Sequence, residues 1–193
     1  MTFFHSVAWE RGMALRVPSP GPWPRDTTLT ATDVLVGGRS LDQIARAEGT
    51  PCLRIAEAPD TGLFPPGRQH LITALVTSVE AISMNSRGRP EEIWVDAELD
   101  GCRPRISEAR LIGRPASGRR RRVALRPTTR TALDGHLVRL PADVQLGDLI
   151  AIPCEGPCAL HDVRRRSYHP ERLDDGRWAD DGDEFTALGR CGK

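Results

Sequence analysis

The sequence predicts a mostly-β domain with one short helix, and three features of the chain point to this fold class. First, 18 glycines and 16 prolines among 193 residues favour many short elements joined by turns. Second, strand patterns begin after residue 70, with a long apolar run at Leu71–Ile82 and, at Ile93, Val95 and Ala97, the period of two that is typical of a half-buried strand. Third, no helical period recurs in that region. Because strands do not alternate with helices, we expect a Greek-key barrel or sandwich rather than an α/β fold.

Residues 1–25 are predicted to form an extended or disordered arm. They end in the proline-rich stretch PSPGPWPR, which neither a helix nor a central strand tolerates. The arm is either a loose tail or a segment that lies on a partner through its aromatic residues, Phe3, Phe4, Trp9 and Trp23. A single β-domain is expected at residues 26–186, followed by a tail at residues 187–193.

Residues 40–49 carry the clearest helical pattern. Ser40 is a favourable N-cap, and Gln43 follows at the spacing of a capping box. Gly49 and Pro51 are expected to end the helix. The helix has one apolar stripe, set by the spacing of Leu41, Ile44, Ala45 and Glu48.

Short strands are predicted along the rest of the chain, with Gly, Pro and Asp turns between them. Ile93, Val95 and Ala97 alternate with polar or amphipathic residues, which predicts one buried face. The other predicted strands are Cys52–Ile55, Leu71–Ile82, Val123–Leu125, Leu137–Leu140 and Leu149–Ile152.

Composition narrows the function classes. The formal net charge is +1, which gives the chain as a whole no electrostatic reason to bind nucleic acid. No apolar run approaches the roughly 20 residues of a membrane span, and the N-terminal stretch lacks a signal-peptide core. We therefore expect a cytoplasmic protein with its five cysteines reduced. Lys193 is the single lysine beside 26 arginines, so no internal amine can form a Schiff base.

Three stretches in the same order resemble the diaminopimelate/ornithine/arginine decarboxylases, which are fold-type III enzymes dependent on pyridoxal phosphate (PLP). Val34–Ile55 is similar to the N-terminal segment of the family, and Pro65–Ser78 is similar to the start of its C-terminal β-domain. LPADVQLGDLIAIPCEGPC and SYHPERLDDGRW resemble the later strands of that domain. The resemblance implies a β-domain like the C-terminal domain of alanine racemase, in which residues near 27–37 add a strand to the same sheet as the C-terminal part.

The resemblance does not extend to the catalytic barrel of the family. In the family a whole β/α barrel lies between the Gly-Thr-Pro and the Gly-Arg stretches, whereas here only residues 52–66 do, too few for one βαβ unit. The Schiff-base lysine of the barrel is missing, and a threonine, Thr129, stands in place of the catalytic cysteine. PLP is therefore expected only if a barrel-bearing partner supplies it. In that case Gly67 and Arg68, which match family residues on the phosphate side of the cofactor, are the expected cofactor-binding residues.

Four residues are candidates for a functional pocket: Thr129, Asp134, His136 and Cys158. Asp134 is similar to a substrate-binding aspartate of the family if one residue is inserted, and it could orient His136 as a general base. Cys158 aligns with a tyrosine near the cofactor. A purely structural role also stays open for these residues. Residues 134–136 also have the pattern of a turn before a strand, and Cys158 could be a small residue that fills space.

Two further clusters allow a structural interpretation as well as a functional one. Cys154, Cys158 and His161 could begin a metal site, with Cys191 or His169 as a fourth ligand, but buried structural cysteines are favoured and no metal is expected. Arg119–Arg122 could bind phosphate or RNA, but a solvated hairpin is favoured.

The function that the resemblance implies is that of a non-catalytic subunit or accessory partner of a PLP-dependent decarboxylase-type enzyme. In that family the β-domain of one chain faces the barrel of another, so the partner is expected to be a barrel-bearing protein or a second copy of this chain. The alternative is a stand-alone enzyme or small-molecule-binding protein of specialised metabolism with a repurposed pocket.

Overall fold

The computed structural model describes residues 17–18, 21–59, 70–127 and 136–164. In these ranges it contains twelve strands, two helices and one 3-10 turn at Ile106–Glu108. The predicted mostly-β fold with one short helix is confirmed, since the second helix is a single turn. None of the described helices is long and apolar enough to cross a membrane.

The strands form two sheets. The small sheet has the order β1-β2-β3-β4, with strands β1 Val17–Pro18, β2 Thr27–Leu29, β3 Val34–Val36 and β4 Arg39–Ser40. The large sheet consists of β5 Cys52–Glu57, β6 Leu71–Met84, β7 Pro90–Val95, β8 Arg103–Pro104, β9 Arg110–Ile112, β10 Arg120–Pro127, β11 His136–Pro141 and β12 Leu149–Glu155. Its main path runs β11-β10-β7-β6-β12-β8, while β5 also pairs with β6 and β9 also pairs with β12.

Strand β6 is the centre of the large sheet and separates two hydrophobic cores. Its first half pairs with β12 along one edge and with β5 along the other, and its second half pairs with β7. Leu75 and Val79 lie in the first core, whereas Ala74 and Val76 lie in the second. Because both faces of β6 are covered, its residues 72–77 are buried without a break instead of alternating with polar residues.

The helix α1, Leu41–Glu48, begins and ends where the sequence predicts. The backbone N–H of Gln43 donates to Ser40 Oγ at 3.0 Å, and the N–H of Gly49 donates to the carbonyl of Ala45 at 2.9 Å. Gly49 has a φ of 81°, a left-handed conformation that favours glycine at a helix end. The predicted stripe, Leu41, Ile44 and Ala45, is buried in the second core.

The expectation that residues near 27–37 join the large sheet is wrong. Strands β2 and β3 pair with each other and with β1 and β4, and they pack with α1 on one face of the large sheet instead of extending its edge. The reason is burial, because Val34, Val36 and the completely buried Trp23 share the second core with Ala74 and Val76. Trp23 belongs to the predicted arm, so residues 21–25 lie against the domain.

Candidate functional site

The segment that connects β12 to the last helical turn, α2 Leu160–Val163, holds Cys158 in a fixed position. The backbone N–H of Cys158 donates to Thr73 Oγ1 at 3.0 Å, and Thr73 Oγ1 donates to the carbonyl of Gly156 at 3.0 Å. The Cys158 sulfur lies 3.8 Å from the carbonyl oxygen of Gly101. Thr73 is completely buried in the middle of the sheet, so a strand residue positions the loop that carries the thiol.

Three thiols meet at this point of the first core. Cys102, Cys154 and Cys158 are all buried there, and both other thiols influence the pKa of Cys102. The Cys102 thiol also donates to the carbonyl of Leu99 at 3.4 Å. All three cysteines are free, as is Cys52.

The thiols differ in acidity because their environments differ. Burial, and next the negative charge of a Cys102 thiolate, raise the pKa of Cys158 to about 11. Burial also raises the pKa of Cys52 to about 11. Hydrogen bonds from Cys154 and Cys158 lower the pKa of Cys102, while the same contact with Cys102, together with burial, raises the pKa of Cys154. Three of the four thiols are therefore protonated at neutral pH, and a protonated thiol is a poor nucleophile.

A cavity of about 270 Å³ lies between the end of α1, strand β5 and the start of α2. Cys52 and Cys158 both line it, and the remaining lining is largely apolar with one carboxylate and one guanidinium, from Glu48, Pro51, Leu53, Ile55, Ala159, Leu160 and Arg164. The volume is slightly below the roughly 300–1,000 Å³ of small-molecule sites. The described lining offers apolar contact and thiols that are weak hydrogen-bond donors, and none of the described lining residues is an activated nucleophile.

The side chains of the other predicted pocket residues are outside the described part of the chain, so their positions relative to this cavity are not described. Thr129 and Asp134 lie outside the described residues, as do Gly67 and Arg68. His136 is the first residue of β11, where it pairs with Leu125, and its side chain is outside the described part. The proposed pocket of Thr129, Asp134, His136 and Cys158 therefore stays a prediction, with Cys158 as its one fully described member.

The spacing of Cys154, Cys158 and His161 does not produce a common ligand set. The side chain of His161 is 83% exposed, and its Nε2 lies 2.9 Å from Asp162 Oδ1. Within the described ranges, no group of three or more His, Cys, Asp or Glu side chains is arranged to hold a metal ion.

Sequence reasoning missed Cys102 as the third thiol of the buried cluster, because Cys102 reaches the cluster only through the pairing of β8 with β12.

The residues that the structure describes do not fit PLP held as a Schiff base. Such a bond requires a lysine amine, and the one lysine is Lys193, outside the described residues. The two thiols that line the cavity, Cys52 and Cys158, are buried and protonated, and a thiol cannot form the imine that an amine forms.

Comparison with known proteins gives a distant structural match. No family model and no curated protein sequence matches the chain. One of the solved structures that matches is the arginine decarboxylase of Paramecium bursaria Chlorella virus bound to agmatine. The match has 21% identity and a TM-score of 0.35, and it covers 44% of this chain but only 24% of the viral chain. We draw no functional conclusion from a likeness at this level.

Proposed function

We propose that this chain is a non-catalytic β-domain that docks on a separate, barrel-bearing PLP-dependent protein and completes, regulates or blocks the site of that partner. The observation that carries the proposal is an apolar edge formed by Leu53 and Ile55 of β5 and Leu71 of β6. Leu53 and Ile55 lie within residues 52–66, the part of the chain where the resembled decarboxylase family carries its barrel.

The apolar side chains of this edge lie on the face of the sheet that packs on the first core, and two of them extend beyond that core into solvent. Ile55 pairs with Thr73, so Ile55 and Leu71 are diagonal neighbours on one face, and each is 42% exposed. Leu53 lies on the same face and lines the Cys158 cavity. Exposed apolar groups that join a cavity in this way are typical of protein-binding surfaces.

Strand β5 also has one side with no partner strand in the described part of the chain. It pairs with β6 along one side, and within the described residues its other side receives a single backbone hydrogen bond, from Arg25 N–H to the carbonyl of Glu57 at 2.6 Å. An uncovered edge beside apolar side chains provides main-chain groups for pairing with another chain. Both features favour docking, and the protonated thiols favour it over catalysis by this chain alone.

The test is a pull-down from the native host with the full chain, comparing the wild type with Ile55→Glu and Leu146→Glu. Leu146 is the matched control, because it is an aliphatic side chain that is 66% exposed in the turn before β12. The wild type and Leu146→Glu should recover a PLP-binding barrel protein in stoichiometric amount. Ile55→Glu should recover at least about tenfold less, because an unpaired carboxylate buried in an interface costs several kcal/mol.

Two results would overturn the proposal. One is that the wild type recovers no PLP-dependent barrel protein. The other is that Ile55→Glu recovers as much of it as the wild type, which would leave the apolar edge without a role.

A second candidate function is binding, or a reaction, of a small molecule by the isolated chain. The observation that favours it is that Cys158 lines a cavity beside apolar side chains. Ligand binding or activity of the purified chain that Cys158→Ala or His136→Ala abolishes would support this candidate. Unchanged behaviour of both variants would refute it.

A further inference from the structure

A basin of about 450 Å³ lies where the turn between β6 and β7 meets the start of β10. Five of the eight described residues that line it are arginines, and none of these eight is acidic. The lining consists of Asn85, Ser86, Arg87, Arg89, Pro90, Arg120, Arg121 and Arg122. We call this surface the arginine basin.

The fold brings two separate arginine groups together here. Strand β10 runs parallel to β7 with Ala124 opposite Glu92, so the first residues of β10 lie beside the β6–β7 turn. The side chain of Asn85 organises that turn, because its Oδ1 accepts from the backbone N–H groups of Arg87 at 3.0 Å and Arg89 at 3.2 Å. The arginines of the basin therefore stand on ordered backbone.

The positive charge of the basin has no counter-charge in the described part of the chain. Some arginines elsewhere bind carboxylates: Arg46 lies 2.9 Å from Asp42, and Arg114 lies 2.6 Å from Asp148. By contrast, no described carboxylate forms an ion pair with the five basin arginines. Glu92, on the neighbouring strand, is already held by Arg126 at 2.7 Å.

The neighbours of the basin increase the positive charge. Arg122 pairs directly with Arg139 of β11, and like charges at such a position destabilise a sheet. Burial and next the charge of Arg120 lower the pKa of Arg110 on β9. Repulsion of this kind reduces the stability of the fold, and a bound anion would relieve it.

We propose that the arginine basin binds phosphate groups of a polyanionic ligand. Guanidinium groups bind phosphate oxygens through paired, charge-assisted hydrogen bonds, and several such groups at one basin suit a ligand with linked phosphates. None of the described lining residues is aromatic, so these residues provide no platform on which a base can stack. Phosphate, not base identity, is the feature that the basin recognises. This proposal does not depend on the accessory role above.

The test is calorimetric titration of the full chain with inorganic tripolyphosphate and, separately, with an oligothymidylate of about 20 nucleotides. Arg120→Gln/Arg122→Gln is compared with Arg39→Gln/Arg103→Gln, which removes the same charge from exposed arginines on β4 and β8. We expect the basin variant to bind at least about tenfold more weakly and the control to stay within about twofold. Affinity should also fall as salt rises from about 0.1 M.

The two ligands distinguish the sources of phosphate. Binding of tripolyphosphate alone would indicate a small phosphorylated ligand, and tighter binding of the oligonucleotide would indicate a nucleic-acid backbone; either result supports the basin. Failure of both ligands to bind at about 0.1 M salt, or equal loss in the basin and control variants, would overturn the proposal.

Discussion

Replacement of Thr73 by valine tests how the sheet positions Cys158. Valine keeps the shape of threonine but removes an oxygen that accepts from Cys158 N–H and donates to the carbonyl of Gly156, both at 3.0 Å. The Cys158 backbone is buried, and a buried group left without its hydrogen bond costs about 1–3 kcal/mol. Gly156 is half-buried, and water can partly satisfy its carbonyl. We expect a net loss of about 2 kcal/mol in the free energy of unfolding.

Thr27→Val is the matched control for this substitution. Thr27 is also buried, at 7% exposure, but its Oγ1 has no hydrogen-bond partner among the described residues. Removing that oxygen should therefore be neutral or stabilising. Equilibrium unfolding in urea measures both variants, and a loss of about 2 kcal/mol corresponds to a midpoint roughly 1 M lower for a slope near 2 kcal/mol/M. Equal stability of Thr73→Val and Thr27→Val would refute the reasoning.

Three further predictions concern the same domain. Hydrogen bonds from Ser117, together with Arg114, lower the pKa of Asp143, so the stability that its carboxylate contributes is present above about pH 4 and is lost on acidification. Asp143→Asn should cost about 1 kcal/mol in the free energy of unfolding at pH 7 and flatten the decline of Tm below pH 4. An unchanged dependence of Tm on acid pH would contradict this. Gly101→Ala would drive its Cβ against the Asp162 carbonyl of α2 and should cost about 1–3 kcal/mol in thermal unfolding, whereas the exposed neighbour Asp100→Ala should cost little. Because the pKa of Cys158 is about 11, its alkylation rate, followed by peptide mass spectrometry, should still rise between pH 9 and pH 10; a plateau below pH 9 would contradict this.

The elements with strong local signals were predictable from the sequence. The helix α1 has Ser40 and Gly49 at its ends, and these caps act within a few residues of the chain. The alternation of Ile93, Val95 and Ala97 also gives their buried face correctly. Local chemistry determines both features, so no knowledge of distant contacts is required.

The features that the sequence did not reveal depend on distant contacts. Strands β2 and β3 have three residues each, too few for a pattern that distinguishes one sheet from another. Cys102 joins the thiol cluster from a separate part of the chain, because β8 pairs with β12. Arg87 and Arg89 join the Arg120–Arg122 group only because β7 and β10 run parallel.

Native mass spectrometry of the complex recovered from the host tests the accessory role most directly. The account predicts that the full chain is recovered with a barrel-bearing PLP protein in a fixed ratio, and that Ile55→Glu abolishes the complex while Leu146→Glu retains it. Recovery of the chain as a monomer or as a dimer of itself, with no PLP-dependent partner, would contradict the account.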